Sequence, residues 1–293
     1  MKIALYSAFF SEETLTFVNR TLAYLSANKH EVLLVDRLKK YMGAKADEYH
    51  YFDGNEILQE KVDFLFSIGG DGTLLRAITV IGNTEIPIFG INTGRLGFLT
   101  SLHRDALSEG LDAFFDSQFS YVSRSLLQVS SKDPISALED FGFALNEVSI
   151  NRKNTTAMLS IEAELDGQPL TTYWSDGLII STPTGSTGYS MSSGGPIVSP
   201  DSQCWILNPI APHNINMRPL IVPDTTSIRI SVTGRDKHHL LSLDSRVITV
   251  ENRNDIYLKK AAFSIRTVQL NGSFFFNALR EKLFWGKDAR NVQ

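Results

Sequence analysis

The chain has 293 residues, enough for one large domain or two ordinary ones with substantial cores. Hydrophobic residues make up 43% and charged residues 20%, a balance that argues against a disordered chain. The 28 basic and 32 acidic residues leave a formal charge of −4, so nonspecific nucleic-acid binding is not expected.

No apolar run is long enough to cross a bilayer, and MKIALYSAFF is too short an apolar stretch for a signal peptide. No membrane partner is therefore expected, and the single cysteine, Cys204, suits a reducing cytoplasm as a packed thiol.

The first ~120 residues alternate strand and helix patterns. KIALYS reads as a strand. SEETLTFVNRTLAYLS follows as a helix, with Ser11 as N-cap, acids in its first turn and Leu15, Val18, Leu22 and Leu25 at helical spacing. HEVLLVD and VDFLFSI are the next strands, TLLRAITVIG is a helix, and EIPIFGIN is a fourth strand. Strands separated by helices imply parallel pairing in a layered α/β sheet.

From about residue 123 the rhythm changes to short runs rich in β-branched and aromatic residues: NEVSINRK, TTAMLSIEAEL, PLTTYW, GLIIST, SIRISVTG, HHLLSLD, RVITVEN, DIYLKK and FSIRTVQL. Turn signals such as Asp166-Gly167 separate them. The expected fold class is an α/β N-terminal domain with a parallel sheet over 1–122, then a mostly β domain over 123–269. A C-terminal helix over 270–293 is expected to pack back on the first domain, with Phe274, Phe275 and Phe276 in its core. His238 and His239 lie in a strand pattern and read as structural or exposed.

The stretch SIGGDGTLLRA (67–77) ends the third strand in glycines around one carboxylate. Gly69, Gly70 and Gly72 leave backbone N–H groups open to anionic oxygens, and the helix starting near Thr73 turns its positive end to the same place. In open α/β sheets the ligand crevice lies beyond the carboxyl ends of the strands, where this loop sits. Asp71 would repel a phosphate there, but it suits a hydroxyl that must be oriented and relieved of its proton while a phosphoryl group arrives. The alternative is a tight Gly-Asp-Gly turn whose aspartate bonds only to its own backbone. There is no GxxxxGK[ST] sequence, and Leu75 occupies the third glycine's place of a dinucleotide fingerprint.

INTGRLGFL (91–99) leaves the next strand as another glycine-punctuated loop, with Asn92 offering an amide. YWSDGLIISTPTGSTGYSMSSGGPIVSP (173–200) is dense in hydroxyls and glycine but lacks cations, which suits hydrogen bonding to riboses, a base and an amide. NPIAPHNINMRPLIVP (208–223) sets His213 and Arg218 in a proline-stiffened loop. Each has a plainer reading: Asn146 and Glu147 could simply begin a strand, Asp176 an Asp-Gly turn, Tyr189 could be ordinary packing, and His213 a satisfied loop histidine.

Together GGDGT (69–73), NTGRLGFL (92–99), NE (146–147), DGLIISTPTGSTGYSMSSGGP (176–196) and PHNINMRPL (212–220) resemble the NAD kinase family in order and spacing over nearly the whole chain, including the terminal REKLFWGKD. GGDGT alone is shared with diacylglycerol kinases and 6-phosphofructokinases, whereas TPTGST followed by PH…RP is far more specific. The resemblance implies phosphorylation of the 2′-hydroxyl of the adenosine ribose of NAD by ATP, with Asp71 as the catalytic carboxylate.

It further implies that Gly72, Asn146, Glu147, Asp176, Thr187, Gly188, Tyr189, Ser192 and His213 contact NAD, Asp176 at the nicotinamide end. Gly69, Gly70, Gly72 and Thr73, with Asn92 and Arg95, would hold the phosphates of ATP. No residue is expected to serve as a dedicated metal ligand; Mg²⁺ would arrive with ATP, and a homodimer or homotetramer is implied. Gly188 stands where the family often has alanine, and Asp244-Ser245-Arg246 where many members have Asp-Gly-Gln. A lipid or sugar kinase with the same glycine loop and a noncatalytic NAD sensor are the rival readings.

Overall fold

The computed structural model describes residues 1–59, 61–94, 97–154, 158–272 and 275–284. They fall into two units, Met1–Ser123 with Ile265–Gln293, and Arg124–Ser264.

The first unit is built on a seven-stranded sheet in the order His50–Phe52, Glu31–Val35, Lys2–Tyr6, Phe64–Ile68, Ile88–Ile91, Ile265–Leu270, Phe119–Arg124. The five central pairings, from His50–Phe52 to Ile265–Leu270, are parallel. Near-continuous apolar strands such as FLFSI, buried at all five positions, mark a sheet covered on both faces. Chain order reverses between Lys2–Tyr6 and Phe64–Ile68: from the first strand the chain moves outward one way, then returns and moves the other. That reversal leaves a crevice beyond the carboxyl ends of these two strands, the place where open α/β sheets take their ligands.

Helix Glu12–Ala27 starts as its sequence indicates, the Ser11 hydroxyl accepting from the Thr14 N–H at 3.2 Å with Glu12 and Glu13 in the first turn. Helix Leu107–Phe115 sends Phe114 into an aromatic cluster with Phe64, Phe66, Phe89 and Phe119, at centroid separations of 4.8–5.1 Å.

From Ile265 onward, FSIRTVQL does not belong to the β unit. Strand Ile265–Leu270 pairs in parallel with Ile88–Ile91 through Thr267 and Ile88, so the second unit ends at Ser264. Thr267 and Val268 are consecutive and both buried, as in a strand covered on two faces rather than an alternating one. The terminal helix Phe275–Leu283 returns to the first unit and buries Leu279. Phe275 and Phe276 are not core as expected: Phe276 is 64% exposed and Phe275 is half-buried against Phe98, while Phe274 lies outside the described residues.

The second unit holds two six-stranded sheets. One runs Gln168–Ser175, Leu159–Leu165, Ile228–Thr233, Ile256–Lys260, Leu127–Ser131, Phe143–Ala144; the other runs Leu220–Pro223, Cys204–Ile210, Gly177–Ser181, Glu147–Arg152, His238–Leu243, Arg246–Glu251. Inward residues of both sheets, among them Val129, Ile161, Ile230, Ile150, Ile180, Trp205 and Leu241, share one core, which makes the unit a β-sandwich. Gly177–Ser181 is central to its sheet and buried throughout.

Phe114 touches four core rings, so Phe114→Ala should destabilise the protein by about 3–5 kcal/mol, the usual cost of truncating a buried aromatic. Urea unfolding measures this, and a loss under about 1 kcal/mol would mean that the cluster contributes little to the core.

Candidate active site

In the first unit, the buried strand Phe64–Ile68 delivers the glycine loop to the helix Asp71–Ile81. Asp71 is therefore the first residue of that helix, two residues earlier than the apolar pattern indicates. Its carboxylate does not bond to its own turn. It accepts from the backbone N–H of Phe98 at 2.8 Å and of Leu99 at 3.1 Å, in the loop that leaves the next strand. The two glycine-punctuated loops are thus joined through one side chain. Only glycine fits at 97: a Cβ there would lie 1.8 Å from the Asp71 carboxylate. A Cβ at Gly70 or Gly72 would meet nothing within 4 Å, so the loop presents bare backbone to open space. Thr73 is buried against Gly69.

Asn92 is placed otherwise than the sequence suggests. It is fully buried, its Oδ1 accepting from Gly94 N–H at 2.7 Å and its Nδ2 donating to Thr100 Oγ1 at 3.0 Å, so it shapes the loop. Arg95 lies outside the described residues. A cation that the sequence reading did not single out stands near Asp71: Lys282 Nζ, on the terminal helix, is 4.0 Å from Oδ2 and 4.1 Å from the Phe98 ring centroid. Burial lowers the pKa of Lys282 while the Asp71 charge opposes that shift. The signal was only the lysine within REKLFWGKD, since the expectation that the helix returns to the first domain does not say which loop it meets.

In the second unit, three strands of one sheet bring their ends together. Ser181 pairs with Glu147 and Leu243 with Val148, so the TPTGST turn, the Asn146-Glu147 pair and the Asp244 turn are neighbours. Asp244 is almost fully buried and accepts from three successive backbone N–H groups, those of Leu145 (3.0 Å), Asn146 (2.7 Å) and Glu147 (3.2 Å). From the other side, Thr182 N–H donates to Asn146 O at 2.9 Å and Thr182 Oγ1 donates to Leu145 O at 2.6 Å. Gly185 packs so closely on Asn146 that a Cβ would lie 2.0 Å from its carbonyl oxygen.

This clamp leaves two buried polar atoms, Asn146 Oδ1 and Glu147 Oε2, with no hydrogen-bond partner among the described residues. Burial, reinforced by repulsion from Asp244, raises the Glu147 pKa to about 8, against the backbone N–H of Tyr189, which lowers it. Gly188 lies against the same carboxyl group, where a Cβ would come 2.9 Å from Oε2. Asn146, Glu147, Gly188 and the Tyr189 backbone thus form one cluster, with Thr187 beside them in the short 3₁₀ turn Thr184–Thr187. The Tyr189 ring is 41% exposed and Ser192 is exposed.

Asp176 is not in that cluster. It sits at the opposite end of the Gly177–Ser181 strand, roughly 17 Å from Ser181 at ~3.4 Å per residue, and forms an ion pair with Arg152 at 2.8 Å. His213 is exposed and its backbone N–H donates to Trp174 O at 2.8 Å. Arg152 was not singled out by sequence reasoning in this unit, and Asp244 was noted only as part of the turn that departs from the family pattern. Among the described residues, no three His, Cys, Asp or Glu side chains gather closely enough to hold a metal ion, and no helix is long and apolar enough to cross a membrane.

The folded protein keeps the Glu147 proton up to about pH 8, whereas the unfolded chain releases it near the ordinary glutamate value of 4.5. Glu147 therefore lends stability below pH 4.5 that declines as pH rises toward 8. Glu147→Gln mimics the protonated form and should gain stability relative to wild type as pH is raised from about 5 to about 8. Parallel stability curves for the two proteins over that range would contradict the shift.

Two family models match the chain: the ATP-NAD kinase N-terminal domain over residues 11–119 and the ATP-NAD kinase C-terminal domain over residues 145–270. An NAD kinase of Flavobacterium psychrophilum is 42% identical over 99% of this chain and 100% of its own length. One of Christiangramia forsetii is 44% identical over the same shares. Among solved structures, an NAD kinase from Archaeoglobus fulgidus in complex with ATP superimposes with a TM-score of 0.76 at 27% identity, covering 97% of this chain and 99% of that one. Yeast NADH kinase complexed with NADH gives 0.88 at 23% identity over 100% and 90%, a likeness of fold. With both domain models matched and relatives above 40% identity along its whole length, this chain is a member of the NAD kinase family.

Proposed function

We propose that the protein transfers the γ-phosphoryl group of ATP to the 2′-hydroxyl of the adenosine ribose of NAD, giving NADP and ADP. Membership of the NAD kinase family supports the reaction, and the relative solved with ATP supports the donor. The observation that carries the assignment of the chemistry is the Asp71 carboxylate, half-exposed at the end of a loop of open backbone and held in one orientation by two amides.

In this reading Asp71 orients the 2′-oxygen in line with the γ-phosphorus and receives its proton as the new O–P bond forms and the β–γ bridge breaks. The backbone N–H groups of Gly70 and Gly72, with the positive end of helix Asp71–Ile81, hold the transferring phosphoryl oxygens; contrary to the sequence expectation, those of Gly69 and Thr73 are already given to Ile91 O and Gly70 O at 2.9 Å each. Mg²⁺ would be carried in by the phosphates themselves. Lys282, close to the same carboxylate, adds positive charge where phosphate oxygens must approach it.

The dinucleotide is held by Gly72 and by Asn146, Glu147, Thr187, Gly188, Tyr189 and Ser192, the unpartnered polar atoms Asn146 Oδ1 and Glu147 Oε2 marking where its own polar groups bond. Asp176, with Arg152, meets its nicotinamide end, and His213 borders it. We assign the protein to the cytoplasm as a homodimer or homotetramer. The exposed apolar residues Trp174, Ile215, Ile221 and Val247 suit burial against a second copy.

Asp71→Asn should lower turnover by about 10²–10⁴ while NAD affinity stays within a few-fold and the fold is kept, as read by an NADP assay alongside circular dichroism. Normal turnover, or a change in stability alone, would remove Asp71 from the chemistry. Asp176→Ala should raise KM for NAD more than it lowers kcat; the opposite split would sink its binding role.

A further inference from the structure

The terminal helix Phe275–Leu283 turns one face to the loop that Asp71 clamps. Phe275, Leu279 and Lys282 are spaced four and then three residues apart, so they share that face. Leu279 is buried, Phe275 lies 6.2 Å from the Phe98 ring, and the Lys282 ammonium lies 4.1 Å over the same ring. Arg280 and Glu281, between Leu279 and Lys282 in the chain, are exposed.

A charge on the inward face of a helix calls for a reason. Lysine stems often lie along apolar surface, but the ammonium then runs out to water. Here the side chain is only 27% exposed, and Nζ stops 4.0 Å from Asp71 Oδ2. Burial lowers the Lys282 pKa, a penalty that an apolar residue at the same place would not meet. At 4.0 Å the pair is too far apart for a hydrogen bond, and among the described residues the ammonium donates none. Its three N–H donors are therefore unused, beside the carboxylate that meets the substrate hydroxyl.

We infer that Lys282 is a second catalytic residue, whose ammonium bonds the phosphoryl group as it reaches the ribose and is unmasked by the proton that Asp71 receives. The inference rests on the kinase reading above and deepens it by saying when the charge acts. Before transfer the Asp71–Lys282 pair has no net charge, so a triphosphate approaches the carboxylate without net repulsion. In the step itself the ribose 2′-oxygen bonds to the γ-phosphorus. The bond from that phosphorus to the β–γ bridging oxygen breaks, and its electrons leave with ADP. The 2′-hydroxyl proton passes to Asp71, which becomes neutral, while Lys282 keeps its own protons. The pair then carries one positive charge just as a 2′-phosphate has formed beside it. Asp71 alone could take the proton but would offer that phosphate no cation.

Lys282→Met keeps the stem over Phe98 and removes the charge, whereas Lys282→Arg keeps the charge. With the full chain, Mg²⁺, ATP and NAD, Lys282→Met should lower kcat about 10²-fold and leave KM for NAD within about threefold. Its thermal midpoint should match wild type, and Lys282→Arg should recover most of the lost kcat. Titration without turnover isolates the phosphate contact: Lys282→Met should weaken NADP about tenfold while NAD changes less than about twofold. Asp71→Asn should tighten NADP by unmasking the cation, and adding Lys282→Met should abolish that gain. Unchanged kcat in Lys282→Met, an equal loss of NAD and NADP affinity, or a gain that survives in the double variant would each overturn the inference. Failure of the wild-type protein to form NADP would instead sink the kinase reading on which it rests.

Discussion

Much of the first unit's site depends on one carboxylate accepting two backbone amides across a gap between loops. Asp71 takes the N–H groups of Phe98 and Leu99 and thereby fixes the position of a loop that has no regular secondary structure of its own. A carboxylate has about four lone-pair sites, so two remain after this clamp. The same bonds that tie the loop also lock the side chain's orientation, which removes a reorganisation cost at the moment a substrate hydroxyl must be met. Shaping a loop and serving a reaction are therefore compatible uses of this residue, and the lack of side chains at 70, 72 and 97 is what allows both.

The second unit uses the same device in a drier place. Asp244 holds three consecutive amides at the start of strand Glu147–Arg152, and its own N–H donates back to Glu147 O at 2.9 Å. Charge-assisted bonds of this kind are stronger than neutral ones, and here they oppose, without cancelling, a desolvation penalty that leaves the Asp244 pKa raised. The result is a rigid peptide segment whose side chains, Asn146 and Glu147, are aimed by backbone rather than by each other.

The layered organisation was legible because it is written in periodicity. Continuous apolar runs such as FLFSI and alternating ones such as SIRISVTG announce parallel and antiparallel strands respectively. What periodicity does not carry is partner choice: FSIRTVQL reads as a strand but nothing local says which sheet completes it. The 3₁₀ turns over Asp36–Tyr41 and Gly43–Glu48 were missed because they have too few residues for a repeat to show. In the site, Asp71 stood out as a charge among glycines. Asn92 looked equally available, yet its amide is consumed by Gly94 and Thr100, a contact that depends on how the loop closes. Lys282 and Asp244 reach their places from 211 and 98 positions away from Asp71 and Asn146, so only the tertiary fold reveals them.

The Asp-Ser-Arg turn, where many members carry Asp-Gly-Gln, follows from the charges around it. Asp244 and Glu147 are buried side by side, and two bare carboxylates there would repel with little water to screen them. Three amides favour the charged form of Asp244 against its burial, whereas Glu147 has one, that of Tyr189, and burial beside Asp244 raises its pKa to about 8. Arg246 stands 4.0 Å from Asp244 while donating to the carbonyls of Phe141 and Phe143 and lying over the Phe143 ring, which pins a cation beside that buried acid. Its burial lowers its own pKa, and Asp244 offsets that loss. A neutral glutamine would leave Asp244 with amide dipoles alone. With arginine the turn is closer to charge balance, and a protonated Glu147 beside Asn146 offers a ligand both a donor and an acceptor, which a pair of carboxylates could not.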